Sequence, residues 1–196
     1  MNHPVGYGAL ENCHGTFTIN YLPFIVGSSP ENCNLIVSSL PSQHFAIVYG
    51  TQTCPSSYEL VLLSGFIVVD NVKYTYTASQ VTSIPIFRNS YIKYGDYYFY
   101  FTLPTRQSYI LNATEQEWVK WIINMLSLKT EVSTPNLESR FQVADLKRLF
   151  IAANAASASD LDGAVLNILR HVLDVAPQFT SFEEDEEIYY KLVYSI

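Results

Sequence analysis

The stretch from Asp96 to Leu126, DYYFYFTLPTRQSYILNATEQEWVKWIINML, decides how the rest of the sequence is interpreted. It contains two short runs of apolar and aromatic residues, Tyr97 to Leu103 and Ser108 to Leu111. The residues between these runs, Pro104 to Gln107, are typical of a hairpin turn. The sequence therefore predicts two paired strands here, followed at once by a helix.

The helix after these strands has a predicted start and one apolar side. Thr114 can cap its N-terminus, and Glu117 can reach back to the Thr114 amide, which is the capping-box arrangement. Residues at helical spacing then form an apolar stripe, which we expect to cover a sheet or the mouth of a barrel. The stripe consists of Trp118, Trp121, Ile122 and Met125.

The composition of the 196-residue chain indicates a globular protein rich in strands. The chain is 48% hydrophobic and contains 15 Tyr and 11 Phe, and aromatic side chains fit a half-buried pleated surface. The N-terminus lacks the features of a secretory signal, and no apolar run approaches the ~18 residues of a membrane span. We therefore expect a cytoplasmic protein, with the nucleus as the alternative, and no membrane contact.

Cysteine and histidine usage indicates neither a catalytic site nor a metal site. Cys13, Cys33 and Cys54 are an odd number at wide spacing, which is typical of reduced thiols. With His14 and His44 they are candidate zinc ligands, but no pair has the spacing that presents two ligands from one turn. The sequence contains no nucleophile elbow, P-loop or dinucleotide fingerprint. We therefore predict no enzyme activity, no catalytic residue, no metal and no cofactor.

The first half of the sequence predicts an antiparallel meander. Residues 1–43 give short strands broken by turn residues, and the strand signal strengthens from His44. Ser64-Gly65 and Asp70-Asn71 fall where tight hairpin turns are expected. The predicted strands are Thr16 to Asn20, Pro23 to Val26, Leu35 to Ser38, Phe45 to Tyr49, Tyr58 to Leu63, Phe66 to Val69, Val72 to Thr77, Ser83 to Phe87 and Ser90 to Tyr94.

The sequence changes character after Leu128. Residues 129–136 are polar and form a predicted linker, in which Thr134 and Pro135 are suited to start a helix. Two amphipathic helices follow, and Ser159 can cap the second. The apolar side of the first includes Leu137, Phe141, Val143, Leu146 and Phe150, and that of the second Leu161, Val165, Ile168, Leu169 and Val172.

The C-terminal residues predict a β-hairpin with an acidic tip. The strands Phe179 to Phe182 and Ile188 to Tyr194 flank the run Glu183 to Glu187, which we interpret as a solvated loop. Two helices closed by a hairpin are compatible, by order of elements alone, with a winged-helix-like unit. Residues 136–196 hold five Lys and Arg against ten Asp and Glu, so such a unit would repel DNA and bind protein.

From His44 to Leu126, about seven antiparallel strands are followed by a helix with a central tryptophan, and this order resembles a pleckstrin homology domain. The matching details are the strands Phe99 to Leu103 and Tyr109 to Leu111, and Thr114 to Glu117 leading into Trp121 and Ile122. The resemblance implies an α+β fold, an antiparallel barrel or sandwich capped by one C-terminal helix. The family binds phosphoinositides through Lys and Arg on and around its first two strands. Phe45 to Leu63 contains neither, so the resemblance implies a member that binds protein.

This interpretation divides the chain into four parts. Residues 1–43 form an N-terminal β extension and residues 44–128 the pleckstrin-like domain. Residues 129–136 form the linker, and residues 137–196 a helical segment that ends in the acidic hairpin.

The segments Phe24 to Gly27, Ser42 to Ile47 and Leu62 to Val68 give a second resemblance, to forkhead-associated domains. That family is an eleven-strand sandwich that reads phosphothreonine peptides, and Gly27 and His44 match its pattern. Three positions depart from it: the arginine expected after the glycine is Ser28, the serine expected three residues before the histidine is Pro41, and the asparagine expected before Gly65 is Ser64. The resemblance therefore implies lost phosphate recognition, because the anion would have no cation to pair with.

These observations favour a non-catalytic protein–protein interaction module, an adaptor or a subunit of a larger complex, with protein partners and no nucleic acid. The alternative is a signalling domain that binds a phosphopeptide or a phosphoinositide. Its candidate binding residues are Lys73, Arg88 and Lys93, the basic residues of the meander before Arg106. Ordinary surface charge is the other explanation for these three residues.

Overall fold

A computed structural model describes residues 7–50, 57–132, 140–153 and 162–193. The chain divides into two compact units, Met1–Pro104 and Thr105–Ile196. The division separates the last predicted strand of the meander from the tryptophan helix, which were expected to share one domain over residues 44–128. The predictions for Cys54, Thr134, Pro135, Leu137, Ser159 and Leu161 lie outside the described residues.

In the first unit, residues 7–50 and 57–104 form eleven strands in two sheets. The six-stranded sheet has the order β2-β1-β11-β10-β7-β8, and the five-stranded sheet has the order β4-β3-β5-β6-β9. The pairs are antiparallel except β3 with β4. The strands are β1 (Ala9–Asn12), β2 (Gly15–Thr18), β3 (Phe24–Gly27), β4 (Leu35–Ile36), β5 (Phe45–Tyr49), β6 (Tyr58–Leu62), β7 (Phe66–Val69), β8 (Val72–Thr75), β9 (Thr82–Ile86), β10 (Tyr91–Tyr94) and β11 (Tyr97–Thr102).

The two sheets pack face to face across an aromatic core. The ring centroid of Phe45, in the five-stranded sheet, lies 6.5 Å from that of Phe99 in the six-stranded sheet. Tyr58 and Phe101 make a second contact of this kind at 5.3 Å. All four side chains are buried. Two mainly antiparallel sheets packed in this way form a β-sandwich, which is the fold that the forkhead-associated resemblance implies.

The predicted pleckstrin-like barrel is wrong, because its strands lie in two separate sheets. Residues 1–43 are not an extension, since β1 pairs with β11 and β3 pairs with β5 inside the two sheets. The predicted strand Ser108 to Leu111 is not a strand. β1 and β10 occupy the two hydrogen-bonding edges of β11, so a hairpin partner after Pro104 has no edge to pair with.

The two predicted tight turns have different outcomes. Asp70 and Asn71, with φ of 48° and 69°, join β7 to β8, and both angles suit the turn that matches the twist of a hairpin. This hairpin is confirmed. Gly65 also has a positive φ, 72°, but the strands before and after it, β6 and β7, belong to different sheets. Ser64-Gly65 is therefore a crossing between sheets and not a hairpin turn.

The described residues of the second unit form three helices and one hairpin. They are α1 (Ala113–Val132), α2 (Val143–Ala153), α3 (Asp162–Val175), β12 (Phe179–Glu184) and β13 (Glu187–Leu192). The predicted order of two helices and a hairpin is present, and the acidic tip is exposed. The winged-helix-like character of this unit stays a prediction. In the part of the chain that the structure describes, no helix combines the length and the hydropathy needed to cross a membrane.

The apolar stripe of α1 packs on other helices. Ile122 is fully buried in one core with Leu169 of α3. Trp118 and Trp121 contact Phe150 of α2, with ring centroids 5.5 and 5.6 Å apart. The helical spacing correctly indicated a buried face, but the expected cover of a sheet or barrel mouth is wrong.

The start of α1 differs from the predicted cap at Thr114. Asn112 Oδ1 accepts a hydrogen bond from Glu115 N at 2.9 Å, and Glu115 Oε1 accepts one from Asn112 N at 3.0 Å. This is a capping box two residues earlier than expected. Glu115 Oε2 also accepts from Tyr109 OH at 2.9 Å and from His171 Nε2 at 2.8 Å. One buried carboxylate therefore joins the start of α1 to α3.

We expect Glu115→Ala to lower the free energy of unfolding of the second unit by about 2–4 kcal/mol, because three donors lose their acceptor. Tryptophan fluorescence in urea measures this unit, since both tryptophans of the protein lie in α1. Glu117→Ala is the matched control, since its exposed ion pair with Lys120 should contribute less than about 0.5 kcal/mol. If Glu117→Ala lowered the free energy of unfolding more than Glu115→Ala, the result would favour the cap predicted at Thr114.

Candidate functional site: a tyrosine and lysine face on the six-stranded sheet

The six-stranded sheet carries a group of tyrosines on its outer face. Along β11, Phe99 and Phe101 are buried in the core, so Tyr98 and Tyr100 point to the opposite side. Tyr100 lies directly opposite Tyr91 of β10, and residues opposite each other in a ladder share a face. The centroids of the three tyrosine rings are 5.1, 5.9 and 6.0 Å apart. The three rings therefore form one cluster.

Two of the three predicted binding residues lie on the same face. Lys73 of β8 and Lys93 of β10 are both directly opposite Val68 of β7, and Lys93 is also opposite Tyr98. Neighbouring strands are about 4.8 Å apart, so the Cα atoms of the two lysines are about 10 Å apart. We call this surface the tyrosine–lysine face, and it consists of Val68, Lys73, Tyr91, Lys93, Tyr98 and Tyr100.

The two lysines carry charge that the fold does not neutralise. Both are exposed, and within the described residues neither has a carboxylate at ion-pair distance. Lys73 Nζ lies 4.5 Å from the centroid of the Phe66 ring, which is a cation–π contact. Glu11 lies on the other side of the tyrosines, opposite Tyr100 in the ladder. The face is therefore positive at the lysine side and aromatic in the middle.

Arg88, the third predicted residue, does not join this face. Its Nη1 donates to the carbonyl of Leu103 at 3.0 Å, and its Nη2 donates to the carbonyl of Pro104 at 2.8 Å. The guanidinium holds the backbone that follows β11. Arg88 therefore stabilises the end of a strand, which the sequence did not indicate.

The residues that carry the forkhead-associated resemblance lie together where two loops meet. Ser28 N donates to the carbonyl of Pro41, and Ser29 N donates to the carbonyl of Ser42, both at 3.0 Å. A Cβ built on Gly27 would lie 2.4 Å from the Ser42 carbonyl oxygen, so the two backbones can approach this closely only with glycine. In the described residues the two loops are joined by these backbone hydrogen bonds and by Cys33 Sγ, which donates to the Ser42 carbonyl at 3.1 Å.

The side chains of His44 and Ser64 form hydrogen bonds to backbone carbonyls beside these two loops. His44 Nε2 donates to the Phe66 carbonyl at 2.8 Å, and Ser64 Oγ donates to the Gln43 carbonyl at 2.6 Å. His44 is fully buried, and burial lowers the pKa of its imidazole below the ordinary value of 6.5, although the bond to Phe66 opposes this. A second proton would have to go to Nδ1, which is buried and has no hydrogen-bond partner in the described residues.

The three positions that the forkhead-associated resemblance assigns to phosphate binding carry no charge. These positions are Ser28, Pro41 and Ser64. Ser28 and Pro41 are hydrogen-bonded to each other through the backbone, and Ser64 Oγ donates to the Gln43 carbonyl. No Lys or Arg precedes Lys73 in the sequence. At the positions of Ser28, Pro41 and Ser64 a phosphate would meet hydroxyl and amide donors, which are weaker partners than a guanidinium.

Sequence reasoning missed the three tyrosines as a site. The signal was present in the run YYFYF at Tyr97 to Phe101, because alternate residues of a half-buried strand point to solvent. Which alternate set is exposed depends on the opposite sheet, and the contacts of Phe99 and Phe101 with Phe45 and Tyr58 decide it.

No protein-family model matches the sequence, and no curated protein matches it either. Among solved structures, the chain is similar to the MEK1 FHA domain, whose crystal structure contains a phosphothreonine peptide of HOP1. The two are 15% identical, the match covers 50% of this chain and 98% of that chain, and the TM-score is 0.40. The sandwich described above rests on the strand pairing of this chain.

We expect acidification from about pH 7.5 to about pH 5.5 to destabilise the first unit, and His44→Gln to reduce that loss. Because the pKa of His44 is lower in the fold than in the unfolded chain, the unfolded chain binds more protons in this range, so stability falls as the pH falls. Glutamine keeps a donor for the Phe66 carbonyl and does not titrate. Hydrogen exchange of the β5 amides at the two pH values measures the effect.

His14→Gln is the control for this experiment, because the His14 ring is exposed on the first unit. It should leave the pH dependence of β5 exchange as it is in the wild type. Equal loss of protection in the wild type and in His44→Gln would contradict the assignment of the acid sensitivity to His44.

Proposed function

We propose that the protein is a non-catalytic protein-interaction module, an adaptor or a complex subunit, that binds an acidic surface of a partner through the tyrosine–lysine face. The observation that carries this proposal is the placement of three clustered tyrosines beside two lysines without ion-pair partners in the described residues.

The tyrosine cluster supports protein contact. Tyrosine offers a large, rigid apolar ring with a hydroxyl at its tip, and it is enriched at the centres of protein interfaces. Tyr100 is 45% exposed, so a large part of its ring is available to a partner. β11 and β10 hold the three rings on paired strands, so little side-chain order has to be gained on binding.

The lysines support an acidic partner. The protein has a net charge of −7, so a typical acidic protein is repelled by most of its surface. Lys73 and Lys93 form a local positive region within this negative background. Complementary charge of this kind raises the rate of association and fixes the orientation of the partner.

A phosphorylated ligand is the second candidate, because the same two lysines could pair with a phosphate on a peptide or a lipid headgroup. Lys73 and Lys93 lie on either side of Val68 in the sheet, and this proximity favours a phosphorylated ligand. A phosphate site would need a third basic donor beside the two lysines. Arg88 could act as that donor only by giving up its hydrogen bonds to two backbone carbonyls. We therefore prefer a carboxylate-bearing protein surface.

Photo-crosslinking tests the proposed interface. A benzoylphenylalanine in place of Tyr100 should crosslink to a protein partner in cells, whereas the same group in place of Ile36 should not. Ile36 is 53% exposed and lies on β4, in the other sheet, so it matches Tyr100 in exposure. The crosslinked partner is identified by mass spectrometry and then purified for binding measurements.

Reversing the charge of both lysines, Lys73→Glu with Lys93→Glu, should weaken the purified complex by about tenfold or more and reduce its salt dependence. Arg148→Glu, an exposed change in the second unit, is the control. Equal crosslinking from positions 36 and 100 would contradict the proposal. Binding to phosphoinositide vesicles that disappears in Lys73→Ala would favour the second candidate.

A further inference from the structure

A groove of about 590 Å³ lies along one side of α1 in the second unit. Leu111, Val119 and Ile123 give it an apolar floor. Its polar lining on α1 consists of Gln116, Lys120 and Asn124. The helical residues among these recur at intervals of three and four, so they share one face over about two turns of helix.

Gln178, which follows α3, lines the same groove, and the oxygen of its carboxamide is buried and lacks a partner within the described residues. The residue is 4% exposed, and its Oε1 accepts no hydrogen bond within the described parts of the chain. Buried polar side-chain atoms are hydrogen-bonded in the great majority of cases, because an acceptor without a donor is unfavourable. The carbonyl of Gln178 accepts from Val193 N at 2.8 Å, so the backbone is fixed while the side chain is left for another donor.

We propose that this groove is a peptide-binding site that takes an extended segment of a partner protein with a leucine-like side chain. The branched side chain contacts Val119 and Ile123, and the adjacent peptide group hydrogen-bonds to Gln178. A peptide group carries one donor and one acceptor, so it satisfies the carboxamide in either orientation of its oxygen and nitrogen. A pure hydrocarbon ligand would leave the Gln178 oxygen unpaired.

The chemistry of the lining also argues against a ligand that places a charged side chain on the apolar floor. Val119 is buried and belongs to the apolar core of the unit, and Leu111 and Ile123 pack against that core. The nearest charged lining residue, Lys120, is exposed and paired with Glu117 at 2.9 Å. A charged group on the floor would lose its hydration without gaining an ion pair.

This site is independent of the tyrosine–lysine face. It uses residues of the second unit, whereas the face belongs to the first. Loss of binding at one therefore leaves the other to be judged by its own experiment.

Methyl NMR of the full chain tests the groove with N-acetyl-leucine N′-methylamide, the smallest probe with a leucine side chain between two peptide groups. We expect saturable shifts of the Val119 and Ile123 methyl signals, with a dissociation constant on the order of 1 mM for a ligand of this size. The matched probe N-acetylglycine N′-methylamide keeps both peptide groups and lacks the side chain. It should bind at least about tenfold more weakly.

The variant Gln178→Leu separates binding from folding. It keeps a buried side chain of similar size and removes the buried carboxamide oxygen that has no donor, so the urea midpoint reported by tryptophan fluorescence should stay the same or rise. The affinity for the leucine probe should fall by about tenfold. Arg148→Ala, exposed on α2 and outside the groove, should change neither quantity.

Five results would overturn the proposal. Shifts could be absent, or they could rise without saturation. The glycine probe could bind as well as the leucine probe, which would remove the role of the apolar floor. Gln178→Leu could bind like the wild type, or it could lower the urea midpoint, which would show that the carboxamide supports the fold instead of a ligand.

Discussion

The alternation of side chains along β11 is the constraint on which the first unit depends. Phe99 and Phe101 contact Phe45 and Tyr58 of the opposite sheet, and exposing either phenylalanine would cost about 1.5–3 kcal/mol. Because the period of a strand is two residues, burial of these rings directs Tyr98 and Tyr100 outward. β11 also lies between β1 and β10, so the outer face continues onto both neighbours. The packed core and the tyrosine cluster are thus two sides of one strand.

Local features of the fold could be predicted where the sequence carries a local signal. The β7–β8 hairpin was predictable because Asp70 and Asn71 tolerate positive φ, and the buried stripe of α3 because its apolar residues recur at helical spacing. The start of α1 was ambiguous, since Asn112 with Glu115 and Thr114 with Glu117 both fit the capping-box pattern. Burial of Glu115 against α3 decides between them, and burial is a tertiary property that the local pattern does not contain.

Features that depend on pairing between distant segments could not be predicted. β1 is four residues long and has no clear alternation, and its place in the sheet is fixed by β11, about ninety residues later. The periodicity of α1 showed that one face is buried but not what covers it. Arg88 looked like a binding residue because a sequence shows its charge and not the two carbonyls that it binds. The missing information in each case was the identity of the partner group.

The distribution of basic residues in the first unit bears on which ligand its outer face can hold. Of Lys73, Arg88 and Lys93, the arginine is bound to backbone, and it is the type of side chain that grips a phosphate with two parallel hydrogen bonds. The lysines are point charges on flexible stems with Cα atoms about 10 Å apart, so bringing both to one phosphate would cost side-chain entropy. Carboxylates spread over a protein surface can meet each lysine where it stands. The adjoining tyrosines add apolar contact that a single ion cannot use, so the geometry of this face suits an extended partner better than a small anion.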